Sequence, residues 1–179
     1  FGADILMCLD ECTHIDDSLE YQKVAVKRTI NWAKRCKTEY SRIMSEDNIR
    51  HDRPLVFGVI QGGNEFKLRK DCTDALLQMG FDGYGYGGYP LDHKGNLLVD
   101  VLSHVRELVP PNRPMIALGI GEPSNVVKAA KIGYNLFDCS LPTRDARQGR
   151  LYALNKPHPN SLADDGWYSF LYIQDKKYI

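Results

Sequence analysis

Asp138 stands in an apolar run, flanked by Leu136, Phe137 and Cys139, where an unpaired carboxylate is costly to keep charged. Two roles suit such a residue. It can cap the turn that follows or pair with Arg144, as short polar residues at strand ends commonly do. It can also be a nucleophile or base held in a desolvated pocket with raised reactivity. Asp10, in Asp10-Glu11-Cys12, carries the same two readings: a cap for the Cys12 or Thr13 amides, or a ligand-reading acid. Gln61 follows Leu55–Ile60 and can satisfy either a loop backbone or a ligand. Arg144, Arg147 and Arg150 are spaced by three just after Asp138. They are either a solvated face or a clamp for phosphates.

Other combinations say less. The glycines of Gly83–Gly88 lack the GxGxxG spacing that leads into a dinucleotide-binding helix. Cys12 and His14 have no further ligand at suitable spacing, and a metal site needs three or four. Lys34, Arg35 and Lys37 read as a solvated helix face.

These residues need a scaffold, and the hydrophobic pattern supplies one. Strands are expected at Ile5–Leu9, Leu55–Ile60, Gly83–Tyr86, Met115–Leu118 and Asn135–Cys139. Helices are expected near Ser18–Met44, Glu65–Met79, Gly95–Leu108 and Pro123–Ile132. Asp17 or Ser18 is the expected cap of the first helix, Asn64 caps the second, and Gly80 closes it in the left-handed region. Pro110-Pro111-Asn112-Arg113-Pro114 ends the third helix, and Pro123 sits in the first turn of the fourth. After Gly149, His158-Pro159-Asn160 reads as a turn and Trp167–Ile173 as a β segment. Such alternation predicts an α/β fold with a parallel sheet, either part of a barrel or doubly wound. In a barrel the polar groups gather at the C-terminal ends of strands. Asp10, Gln61, Gly87-Gly88, Gly119-Ile120-Gly121 and Asp138 all fall there.

Composition bounds the rest. Lys+Arg and Asp+Glu both number 23, so an RNA partner would need a local basic patch rather than a global field. No apolar run approaches the roughly 20 residues that span a bilayer, and no secretory signal is visible. The five cysteines are scattered without a CxxC pair, against a disulfide framework or a zinc site in this chain and for a reducing, cytoplasmic setting. With 179 residues, one globular unit is expected. Phe1 is no initiator and the last residues run on from a strand-like stretch, so the chain reads as a segment of a longer protein.

Four motifs in order, Asp10-Glu11-Cys12-Thr13, Gln61-Gly62-Gly63, Gly80-Phe81-Asp82-Gly83-Tyr84 with Gly87-Gly88, and Phe137-Asp138-Cys139-Ser140-Leu141-Pro142-Thr143-Arg144, resemble those of the tRNA-guanine transglycosylases. The likeness runs from about Phe1 to Leu154. It implies a (β/α)8 TIM barrel of which residues 1–154 are the C-terminal portion, with 155–179 leading toward a zinc subdomain. It also implies exchange of a tRNA guanine, at the anticodon wobble position, for a 7-deazaguanine base such as preQ1 or queuine. Asp138 matches the nucleophile that forms a covalent bond to ribose C1′. Asp10, Cys12, Gln61, Gly62, Gly88 and Leu118 match the residues around the base, and Arg144 and Arg147 those that hold the anticodon-loop RNA. A structural zinc downstream, a further acid/base aspartate upstream, and a homodimer or heterodimer belong to the same expectation. Two departures stand out. Tyr89-Pro90-Leu91-Asp92-His93 replaces a Leu-Ala/Ser-Val-Gly-Glu run, and Leu118 stands where methionine is common. The alternative to an enzyme is a tRNA-binding paralogue or partner subunit without catalysis, and a third reading is an unrelated barrel enzyme.

Overall fold

The computed structural model describes residues 2–46, 53–155 and 166–175. Five parallel strands form one sheet: β1 (Ile5–Met7), β2 (Leu55–Ile60), β3 (Gly83–Tyr86), β4 (Met115–Leu118) and β5 (Leu136–Asp138), paired in sequence order. The crossovers are α1 (Leu19–Glu46), α2 (Phe66–Met79), α3 (Val99–Leu108) and α4 (Pro123–Ile132). A doubly wound sheet reverses its strand order at a switch point. This one never does, and so it is an arc of a (β/α)8 barrel.

The two faces of the arc differ in content. Val56, Ile60, Tyr84, Tyr86, Met115 and Ala117 join Val26, Ala33, Cys72, Leu76, Leu102 and Val105 in one buried core between sheet and helices. The alternate positions face the concave side, where a Cβ on Gly83 would lie 2.4 Å from the Phe57 ring. Phe57 pairs in register with Gly83, and Val59 with Gly85, so large and small residues interlock across the strands. Gln61, Gly87, Leu118 and Asp138 continue this concave parity at the C-terminal edge.

Several boundaries depart from the sequence expectations for local reasons. Ser18 Oγ accepts from Tyr21 N at 3.2 Å and caps α1, whereas Asp17 accepts from His14 N and closes the preceding turn. Asn64 does not cap α2; Glu65 takes that position and its side chain makes no capping bond. Gly80, at φ 71, ends α2 as expected. Gly95 is not helical: the Asp92 carboxylate accepts from Lys94 N and Asn96 N, and the resulting tight loop delays α3 to Val99. Glu122 caps α4 by accepting from Asn125 N, with Pro123 in its first turn.

A short helix, α5 (Leu141–Arg147), follows β5 directly, and the sequence reading has no counterpart for it. A separate antiparallel pair, β6 (Arg150–Leu154) and β7 (Tyr168–Tyr172), comes next, the latter within the expected Trp167–Ile173 segment. The expected turn at His158-Pro159-Asn160 lies outside the described residues. Among the described residues no helix is long and apolar enough to cross a membrane.

Candidate active site

The loop after β1 and the end of β2 build the more rigid half of the site. Gln61 is wholly buried, and its Nε2 donates to Asp10 Oδ2 at 2.6 Å. Burial pushes the Asp10 carboxyl above its ordinary range, an effect that the Gln61 bond opposes. Gln61 is wedged in place: a Cβ on Gly87 would lie 2.4 Å from its Nε2, and one on Gly88 3.2 Å from its Oε1. Glycine is therefore required at 87 for space, while Gly88, at φ 89, also needs the left-handed region. Gly62 has a similar constraint, since its Cβ would meet the Arg69 backbone nitrogen at 2.7 Å. The Cys12 thiol is raised by burial and by the Asp10 charge, with the Gly88 amide acting against both.

Around this pair, buried polar groups brace the loops. Thr13 Oγ1 donates to Gln22 Oε1 at 2.7 Å, and Gln22 Nε2 donates to the His14 carbonyl. Tyr89 N donates to the Thr13 carbonyl, and the Tyr89 ring lies 5.0 Å from that of His14. Asp16 contacts both His14 and His93, at 3.2 and 3.0 Å, so the unusual 89–93 segment is fastened to the first loop. Among the described residues, no three His, Cys, Asp or Glu side chains are placed to hold a metal.

The end of β5 is built more loosely. Asp138 is exposed at the end of β5, an outer strand of this five-stranded arc. The neighbours Leu136 and Phe137 are only half-buried, so the apolar run does not enclose it. Its Oδ1 accepts from Gly119 N at a long 3.4 Å. Arg144 does not pair with it, since Arg144 Nη2 donates to Ser140 Oγ at 3.2 Å instead. Among the described residues neither structural role open to Asp138 is therefore used: it caps no following turn and pairs with no arginine. Leu118 stands opposite Asp138 in the register, half-buried on the same concave face. Cys139 is fitted against Gly121, where an added Cβ would lie 2.4 Å from Cys139 Cβ.

The three arginines after Asp138 divide. Arg144 and Arg147 are exposed at the end of α5. Arg150 is not available to a phosphate. It donates to Asp145, which is 2% exposed, and stacks over Phe170 and Tyr172 at 4.9 and 5.5 Å. Spacing by three did not keep them on one face because α5 ends before Arg150, which opens a strand.

Asp10, Gln61, Gly88, Leu118 and Asp138 thus share one edge of one sheet, with β2 and β5 separated by three strand spacings, about 14 Å along the arc. A family profile described as "TGT: Queuine tRNA-ribosyltransferase" matches residues 1–178. The chain belongs to that family. It is 38% identical over 151 residues to the queuine tRNA-ribosyltransferase of Halothermothrix orenii, covering 84% of this chain and 38% of that protein. Against the enzyme so named from Haemophilus ducreyi the identity is 35% over 151 residues, with the same coverage. Against that from Syntrophobacter fumaroxidans it is 35% over 153 residues, 86% of this chain and 39% of the relative. The chain therefore spans somewhat more than a third of the length of these relatives.

One buried side chain was not singled out by its sequence context. Arg69, on α2, is 1% exposed and bonds only to backbone carbonyls. The signal was its place on a helical stripe with Cys72, Thr73 and Leu76, a face that should have been apolar.

Proposed function

We propose that the full-length protein exchanges guanine in tRNA for a 7-deazaguanine base through a covalent Asp138–ribose intermediate. The observation that carries this reading is the shared edge. The half-buried Asp10, bonded to buried Gln61, ends one side of the arc, and Asp138, without a cation partner among the described residues, ends the other. Asp10 can accept hydrogen bonds from the amidine-like edge of guanine, with the Gly88 amide reading a further polar atom and buried Gln61 orienting the Asp10 carboxylate from behind. Asp138 attacks C1′ and the guanine leaves with the bond electrons. The incoming base, once deprotonated, then attacks C1′ and expels Asp138. Two inversions give net retention, as in retaining glycosidases. The target nucleotide must leave its stack to reach the pocket. Arg144 and Arg147, exposed beside Asp138, supply local positive charge for the RNA backbone.

The structural zinc implied by the family resemblance belongs downstream of this chain; among the described residues no three His, Cys, Asp or Glu side chains are placed to hold a metal. The base belongs to the preQ1 or queuine class, and the compartment is the cytoplasm. A homodimer or heterodimer is the expected assembly.

The test incubates the full-length protein and its Asp138→Asn variant with tRNA and a labelled 7-deazaguanine. Incorporation and a denaturant-resistant RNA adduct are expected in the parent and neither in the variant. Binding of tRNA with neither signal in the parent would establish a non-catalytic tRNA-binding subunit instead.

A further inference from the structure

Arg69 is a cation in the core that pairs with no carboxylate among the described residues. Its Nη1 donates to the carbonyls of Ile60 at 2.7 Å and Gly87 at 2.8 Å, and its Nε donates to that of Gly63 at 2.9 Å. The guanidinium lies 4.3 Å from the centre of the Tyr86 ring. Burying a charge is costly unless it is bonded, and here carbonyls take Nε and Nη1 while an aromatic face lies against the guanidinium.

The identity of those carbonyls matters. A trans peptide points its C=O and N–H in opposite directions. Holding the Gly87 carbonyl on Arg69 therefore turns the Gly88 N–H away from Arg69, toward Cys12, the side on which a base would lie. Holding the Ile60 carbonyl likewise fixes the peptide that begins Gln61, whose own N–H meets Cys72 Sγ at 3.4 Å. The Gly63 carbonyl ties down the loop that follows. One planar fork thus spans the end of β2, its loop and the end of β3, which a lysine ammonium on a flexible stem does not reproduce.

We infer that Arg69 is a positioning residue for base recognition: it aims the Gln61 side chain and the Gly88 amide without touching the base. The inference rests on the transglycosylase reading for the identity of the ligand, but its structural half can be measured without one. Arg69→Lys in the full-length protein keeps the charge and loses the fork. Peptide-resolved hydrogen exchange should then rise about 10-fold in segments 60–64 and 86–89, with β4 unchanged. In guanine-exchange assays the KM for guanine should rise by about 10-fold, with the KM for tRNA and kcat changed less than about 2-fold. Arg69→Met should show the same pattern more strongly.

Exchange that rises uniformly, or not at all, in the lysine variant would overturn the inference. So would equal rises in both KM values, the mark of a generally loosened fold. Should the parent protein exchange no guanine in tRNA, the transglycosylase reading fails by itself, and the two exchange-protected segments still decide what Arg69 holds.

Discussion

The two ends of the arc are built to different standards. At β1–β3, Asp10, Gln61, Gly87 and Gly88 are fixed by short hydrogen bonds, by glycines with no room for a Cβ, and by buried Arg69. At β5, Asp138 is exposed and held by one 3.4 Å bond. Recognition of a flat base needs donors and acceptors placed before binding, because each misplaced buried group costs affinity. A carboxylate that must attack carbon needs lone pairs left free, and a tightly bonded one would be a poor nucleophile. Because β5 is an outer strand of the arc, the openness around Asp138 is that of a sheet edge, and the proposed reaction supplies the reason to test the two ends separately.

Asp138→Asn sharpens the contrast most. Exchange should fall by at least about 10^3-fold, since the amide cannot form the ester. Thermal stability should hardly move, because the side chain is exposed with one long contact. A melting temperature that falls together with the activity would mean that Asp138 is structural and that the two ends are not so different.

The arginines beside Asp138 give the next largest effect. Arg150→Ala leaves the buried Asp145 carboxylate with only Tyr152, and should lower stability by about 3 kcal/mol, read from denaturant unfolding. Arg147→Ala should leave stability within about 0.5 kcal/mol. It should instead weaken tRNA binding and reduce the slope of log affinity against log salt by about 1. Equal stability losses from both changes would erase the division between a structural arginine and an RNA-facing one.

Gly87→Ala tests the rigid end. Its methyl would fall 2.4 Å from Gln61 Nε2 and force that side chain off Asp10. Overpacking of this kind costs about 1–3 kcal/mol. The KM for the base should rise while the Asp138 adduct still forms on tRNA. If the base KM is unchanged, Gln61 is not held by Gly87 in the way the geometry indicates.

The same contrast explains what the residues disclosed before the structure was known. The five strands were legible because each is an apolar or glycine-rich run bounded by turn residues, and the crossovers because their stripes recur at helical spacing. The polar residues at strand ends were legible by type. Their environments were not. The burial of Gln61 and the exposure of Asp138 depend on neighbours in space: Gln61 is enclosed by α2 and β3, whereas Asp138 ends β5, an outer strand of the arc. Arg69 was read past because a charged residue on a helix is normally solvated. Helix α5 was missed because Pro142 and a polar sequence hid one short turn of helix start, and with it the separation of Arg150 from Arg144 and Arg147.

The smallest effect comes from Asp10, and its sign is informative. Burial raises the folded-state pKa of this carboxyl above the unfolded value, despite the Gln61 bond. The folded protein therefore holds the proton more tightly than the unfolded chain. Stability must then fall as pH rises from the ordinary carboxylate range through the folded pKa, and the penalty stays constant above that window. Asp10→Asn removes the penalty while its Oδ1 can still accept from Gln61. Thermal melts should show the variant slightly more stable than the parent at pH 7, with the gap closing below about pH 4. The same variant should bind guanine less well, having lost the charge that faces an amidine-like edge. A parent more stable than the variant at pH 7 would mean that the Gln61 bond outweighs burial, and that the rigid end carries no strain for recognition.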